Sequence, residues 1–174
     1  MAVEIRRLRS LTLILGKAGR SQLKTGSFLP IGPYGRIVGE DGATMGFVLE
    51  FDARNNILRV TVEGRMTDAV MSDGYAAATK YVLTHLPCRG IIDLSKVTEY
   101  DVSLEALRRL AETSPESAPE DIRIVIAPAD HVYGMHRMFQ ILADKTRPNL
   151  HIVRTTDEAY RLLRVEVPEF GPAT

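Results

Sequence analysis

From Phe47 onward, short runs with a two-residue apolar period take turns with longer runs of helical period, and this alternation constrains the fold more than any other feature of the chain. Phe47, Leu49 and Phe51 alternate with Val48, Glu50 and Asp52, and Leu58, Val60 and Val62 alternate with Arg59, Thr61 and Glu63. Two such strands around the turn chemistry of residues 52–56 predict an antiparallel hairpin that ends at Gly64. Thr67-Asp68 then offers an N-cap, and Met71, Tyr75, Ala78, Val82 and Leu86 share one face of a helix stopped by Pro87. Residues 90–94 form a continuous apolar run, as in a strand covered on both faces. Leu104, Leu107, Leu110 and Ala111 mark a second helix closed by Ser114-Pro115, and residues 122–127 a fourth strand. Val132, Met135, Phe139 and Leu142 mark a third helix, and residues 150–153 a fifth strand. Thr155 and Glu158 have the spacing of a capping box, opening a last helix with Ala159, Leu162 and Leu163 on its apolar side. The expected order is β-β-α-β-α-β-α-β-α: one α/β domain with a single mixed, mostly parallel five-stranded sheet and four helices, the opening hairpin being its antiparallel part.

With 174 residues the chain is long enough for one good core and short for two domains. Its single cysteine, Cys88, excludes an internal disulfide framework and a cysteine-rich zinc site, and fits a reducing, cytoplasmic setting. The formal net charge of zero gives no overall signal for nucleic acid. Residues 1–46 differ from the rest: 7 Lys/Arg against 3 Asp/Glu, 8 of the 13 glycines, and no sustained period. Glycine at that density carries a backbone entropy that few apolar contacts offset, so this segment reads as a basic, poorly ordered arm. A start of translation at Met45 is an alternative account of it. Residues 47–165 read as the folded domain and 166–174 as a frayed tail. The run after Arg6, Arg7 and Arg9 is too short for a secretory signal, and no stretch of 18 apolar residues occurs.

Catalytic signatures are missing. The chain has no phosphate-binding G-x-x-x-x-G-K-[ST], no G-x-S-x-G elbow, and only His85 close to Cys88. His131 and His136 are five apart and point about 140° away from one another on a helix, so they cannot share an ion. The expectation is a protein that is not an enzyme and uses no cofactor and no metal. Met135, Met138 and Phe139 are expected to face the sheet, and Gly134 to need a close contact to justify its cost in a helix.

Asp93-Leu94-Ser95-Lys96-Val97 followed by Asp101-Val102-Ser103-Leu104 resembles the D-L-S-x-V-x-x-x-D-S-S-G-L pattern of STAS domains. Residues 63–68 are similar to that family's G-x-[LI]-[TD] turn, and residues 152–159 to its closing strand-to-helix passage. Residues 128–139 resemble the SpoIIAA-like, or STAS/SEC14-like, relatives, in which G-x-x-R-M follows the fourth strand. The resemblance covers about residues 47–165. It implies the fold of the anti-sigma-factor antagonists and of the cytoplasmic tail of sulphate transporters. Ser103 matches the serine phosphorylated there by a partner kinase and Asp101 the acidic residue before it, while Val102 and Leu104 stand where the pattern has serine and glycine.

Ser103 is also a good N-cap on its own chemistry, worth about 1 kcal/mol. Asp101 doubles as a turn residue, and Asp93 sits at the carboxyl end of a strand, where α/β sheets bind ligands. Arg137, one turn after Gly134, suits an anion or a partner carboxylate. The expected function is therefore a cytoplasmic protein-binding regulatory module. Its candidate phosphorylation site is Ser103, and Asp93, Asp101, Leu104 and Arg137 are its candidate partner contacts. The resemblance implies an anti-sigma kinase-like or sensory protein as that partner. The alternative is a small-ligand or lipid-binding module of the SEC14-like kind, with a cavity between the third helix and the sheet lined by Met135, Met138 or Phe139.

Overall fold

The computed structural model describes residues 34–38, 44–85, 88–113, 115 and 121–173. Strands β1 (Tyr34–Val38) and β3 (Ile57–Thr67) each pair antiparallel with β2 (Thr44–Asp52). Helix α1 (Asp68–Thr84), strand β4 (Arg89–Asp101), helix α2 (Leu104–Glu112), strand β5 (Arg123–Ile126), helix α3 (Asp130–Leu142) and strand β6 (Leu150–Val153) follow, with β3 to β6 parallel. Helix α4 (Thr156–Leu163) and the two-residue strand β7 (Gly171–Pro172) close the chain. The sheet order is β1-β2-β3-β4-β5-β6, with β7 antiparallel to β2 beside Glu50 and Phe51.

The five strands and four helices expected from periodicity are all present, but the sheet has seven strands rather than five. Residues 34–38 and 44–46, within the segment read as an arm, are strand. Residues 171–172, within the segment read as a frayed tail, pair with β2, and the adjoining Ala173 is buried. The remainder of the arm, along with Leu86, Pro87 and Ser114, lies outside the described residues. The hairpin does not end at Gly64. Gly64 adopts φ 75°, and the β3–β4 register shifts on either side of it, so the glycine makes an irregularity that β3 passes through on its way to Thr67.

The two-residue strand period separates two cores. Leu58, Val60, Val62, Ile92 and Val125 face α1, α2 and α3, whose Val70, Val82, Leu107, Ala111 and Phe139 cover them. Ile57, Ile91, Ile124, Ile126 and Val153 face the opposite way and meet Ala159 and Leu163 of α4. Three successive right-handed crossovers put α1 to α3 on one face, and α4 returns to the other. The capping box of α4 forms as expected: Glu158 N–H donates to Thr155 Oγ1 at 3.2 Å, and Thr155 N–H donates to Glu158 Oε2 at 3.3 Å. Leu162 departs from its expected apolar side and is exposed.

The carboxyl end of the chain is fastened by polar contacts. Asp52, fully buried, accepts from Asn55 N–H at 2.9 Å, Asn55 Nδ2 at 2.7 Å and Glu169 N–H at 3.0 Å. Burial works against ionisation here, but the bonds from Asn55 and Glu169 prevail and hold the Asp52 carboxyl below its ordinary range. Arg59 donates to Glu50 and lies 3.8 Å from the centre of the Phe170 ring.

Candidate functional site

The parallel pairing of β3 and β4 sets Thr67 opposite Asp101, so the chain leaves both strands at the same edge and starts a helix from each. Thr67 caps α1, accepting from Val70 N–H, and Ser103 caps α2, accepting from Ala106 N–H at 3.1 Å. Asp68, the first residue of α1, joins the two helix starts. It accepts from Ser103 N–H through Oδ1 and from the Ser103 hydroxyl through Oδ2, both at 2.7 Å. These two bonds, backbone first and hydroxyl second, hold the Asp68 carboxyl below its ordinary range, and Arg109 adds attraction against a small opposing effect of burial. Beside them, Arg65 forms ion pairs with Asp101 at 2.6 Å and Glu99 at 3.4 Å.

The structure therefore brings Ser103, Asp101 and Leu104 together at one exposed junction. Asp93 lies elsewhere, largely buried within β4, where its Oδ1 accepts from Ser95 N–H at 2.9 Å. Arg137 is exposed on α3 and donates to Gln140. Asp68 was missing from the sequence-based set. Its only signal was the expected parallel neighbourhood of the strands preceding it and Ser103. An added Cβ at Gly134 would meet nothing within 4 Å, so close packing does not account for that glycine.

A second feature lies inside the fold. A partly open cavity of about 160 Å³ lies between α1 and the sheet, with α2 and α3 contributing to its walls. Its walls are mostly apolar: Val60 and Val62 from β3, Met71 and Ala78 from α1, Leu107 and Leu110 from α2, Val125 from β5 and Phe139 from α3. The cavity reaches the third helix as well as α1, as the alternative reading of the sequence expects. Phe139 lines it, but Met135 and Met138 do not. The polar lining groups are Tyr75, Thr79, Arg89, Arg123, His136 and Arg147.

His136 points into the fold from α3. It is 5% exposed, and burial lowers its pKa to about 4, so the ring is neutral at pH 7. Its Nε2 is 3.3 Å from the Tyr100 hydroxyl oxygen, and its Nδ1 has no hydrogen-bond partner among the described residues. Burial, and secondarily the Asp68 charge, raises the pKa of Tyr100, which keeps that phenol protonated. Among the described residues, no group of three or more His, Cys, Asp or Glu side chains is placed to hold a metal ion. Nor is any helix among them long and apolar enough to cross a membrane.

No family model matches the chain, and no curated protein matches it. Among solved structures it is similar to an uncharacterised protein of the DUF3478 family with a SpoIIAA-like fold from Shewanella loihica PV-4. The two are 15% identical, the match covers 68% of this chain and 94% of that one, and the TM-score is 0.44.

Proposed function

We propose that the protein is a non-enzymatic binding module that holds a small, largely apolar ligand between α1 and the sheet. The observation that carries this reading is the cavity itself. Native interiors are packed to near-crystalline density, so a mostly apolar, partly open cavity of about 160 Å³ reaching between a helix and the sheet is unusual. Such a void forfeits dispersion contacts unless something fills it. The order expected from the sequence, with partner docking first and ligand binding second, is thereby reversed.

The test is thermal melting with and without toluene, beside an Ala78→Leu variant whose larger side chain occupies the space. A ligand that binds the folded state alone raises Tm by mass action. Toluene is expected to raise Tm of the unaltered protein and to leave Ala78→Leu unmoved. Equal shifts in both proteins, or none in either, would contradict the reading.

The Ser103 junction supports a second reading, a protein-docking surface controlled by phosphorylation. It rests on the exposure of Ser103 together with the bond from its hydroxyl to Asp68. A phosphate would bring about −2 charge against that carboxylate and separate the two helix starts. Phosphopeptide mapping of the protein from its native cells tests this, and an unmodified Ser103 across growth conditions counts against it.

A further inference from the structure

Resting on the cavity reading above, we infer that the ligand is a small apolar carboxylate, with its anionic group paired to Arg147 and its apolar body against Val60, Leu107 and Val125. The lining contains three arginines and no Asp or Glu. Two of the arginines are already committed. Arg89 donates to the backbone carbonyls of Leu163 and Asn55, and Arg123 has Asp121 as an ion-pair partner at 3.5 Å.

Arg147 is the most deeply buried of the three, since Arg89 and Arg123 are only half-buried. It is only 9% exposed, and among the described residues no carboxylate lies within ion-pair distance of it. Among the described residues its guanidinium donates only to neutral oxygens: Thr146 Oγ1 at 3.1 Å, the Ala111 carbonyl at 3.4 Å and the Tyr75 hydroxyl at 3.4 Å. The Ala111 carbonyl belongs to the last turn of α2, and a helix end supplies about half a negative charge. The faces of Phe139 and Tyr75, 5.6 and 5.8 Å from the guanidinium carbon, add a further weak attraction. These contacts orient the guanidinium without neutralising it, and buried charges in native proteins are otherwise paired.

A guanidinium fixed in this way suits a carboxylate, whose two oxygens match its planar fork. The remaining walls are largely apolar and carry no acidic group, which favours one anionic group on an apolar body. Size sets the other limit. Cavities of about 150 Å³ accommodate a benzene-sized guest, so a carboxylate on the order of nine heavy atoms is the right scale.

The test is calorimetric titration of the full chain with benzoate, with its neutral near-isostere benzamide, and with toluene, at pH 7. Benzoate is expected to bind about ten- to a hundred-fold more tightly than benzamide, the range for a charge-assisted bond. Arg147→Met is expected to reduce benzoate to the benzamide level while leaving toluene unchanged. If that variant fails to fold, the comparison of benzoate with benzamide in the unaltered protein decides the matter. Toluene binding without a preference for benzoate overturns the carboxylate inference and leaves the cavity reading standing. Failure of all three probes to bind overturns both.

Discussion

Asp68 binds both the backbone N–H and the hydroxyl of Ser103, at 2.7 Å each, and so ties the first turn of α1 to the N-cap of α2. Ser103 serves as donor to one helix and acceptor for the other, since its oxygen also receives the Ala106 N–H. Removing the hydroxyl therefore affects two helices. Ser103→Ala is expected to cost about 1–2 kcal/mol, from the lost cap and the lost bond to a charged acceptor. Asp68→Ala should cost a similar amount. The double variant should lose less than the sum, because each single change already breaks the shared contact. Urea denaturation of all four proteins measures this, and strict additivity would show that the pair is not coupled.

Phosphorylation at Ser103 should act in the same direction. The phosphate replaces the donated hydroxyl hydrogen with about −2 charge facing a carboxylate. The phosphorylated protein is expected to melt at lower temperature and to titrate Asp68 at higher pH than the unmodified one. Heteronuclear NMR of the Asp68 carboxyl reads the second effect directly.

His136 sets the pH dependence. Its folded pKa of about 4 lies below the ordinary 6.5, so the unfolded chain takes up a proton first as pH falls. Stability from this group is complete above pH 6.5 and declines as pH drops toward 4, by about 3 kcal/mol in total. Asp52 and Asp68 are depressed as well, and their contributions are lost at lower pH, as each falls through its folded pKa. The windows separate. Denaturation midpoints measured from pH 7 to pH 4.5 should fall for the unaltered protein and stay nearly level for His136→Gln.

Gly134 offers a change in the stabilising direction. It lies mid-helix and exposed, with open space where a Cβ would be. Gly134→Ala is expected to stabilise the protein by about 0.5–1 kcal/mol through the entropy of the unfolded chain. A loss of stability would indicate a constraint on α3 that the contacts do not show.

Much of this architecture was legible because periodicity reports which way a side chain faces. The alternation at Leu58, Val60 and Val62 located the β3 core face, and Thr155 with Glu158 located the start of α4 to the residue. Strands β1 and β7 escaped because pairing with β2 defines them: YGRIV sits among glycines, and Gly171–Pro172 has no period. Gly64 resembles a stop because glycine weakens strands, yet its positive φ lets β3 continue with a register shift.

The site was less legible than the fold. Ser103 could be recognised as a cap, but its partner Asp68 depends on the register of two parallel strands. The cavity had no signature, because the residues lining it are the ones that would fill a solid core. Arg147 sits in the turn after α3, where an arginine is expected to be solvated, and only the packing of Tyr75 and Phe139 around it reveals a buried charge.

If the space between α1 and the sheet accepts a guest, the side chains lining it must respond to one. Methyl-resolved NMR during a toluene titration tests it most directly. Saturable shifts confined to the methyl groups of Val60, Leu107, Leu110 and Val125 are expected, with the exposed Leu83, Ile141 and Val167 unmoved. Shifts that grow linearly without saturating, or that appear on those exposed methyls while the cavity residues stay still, would contradict it.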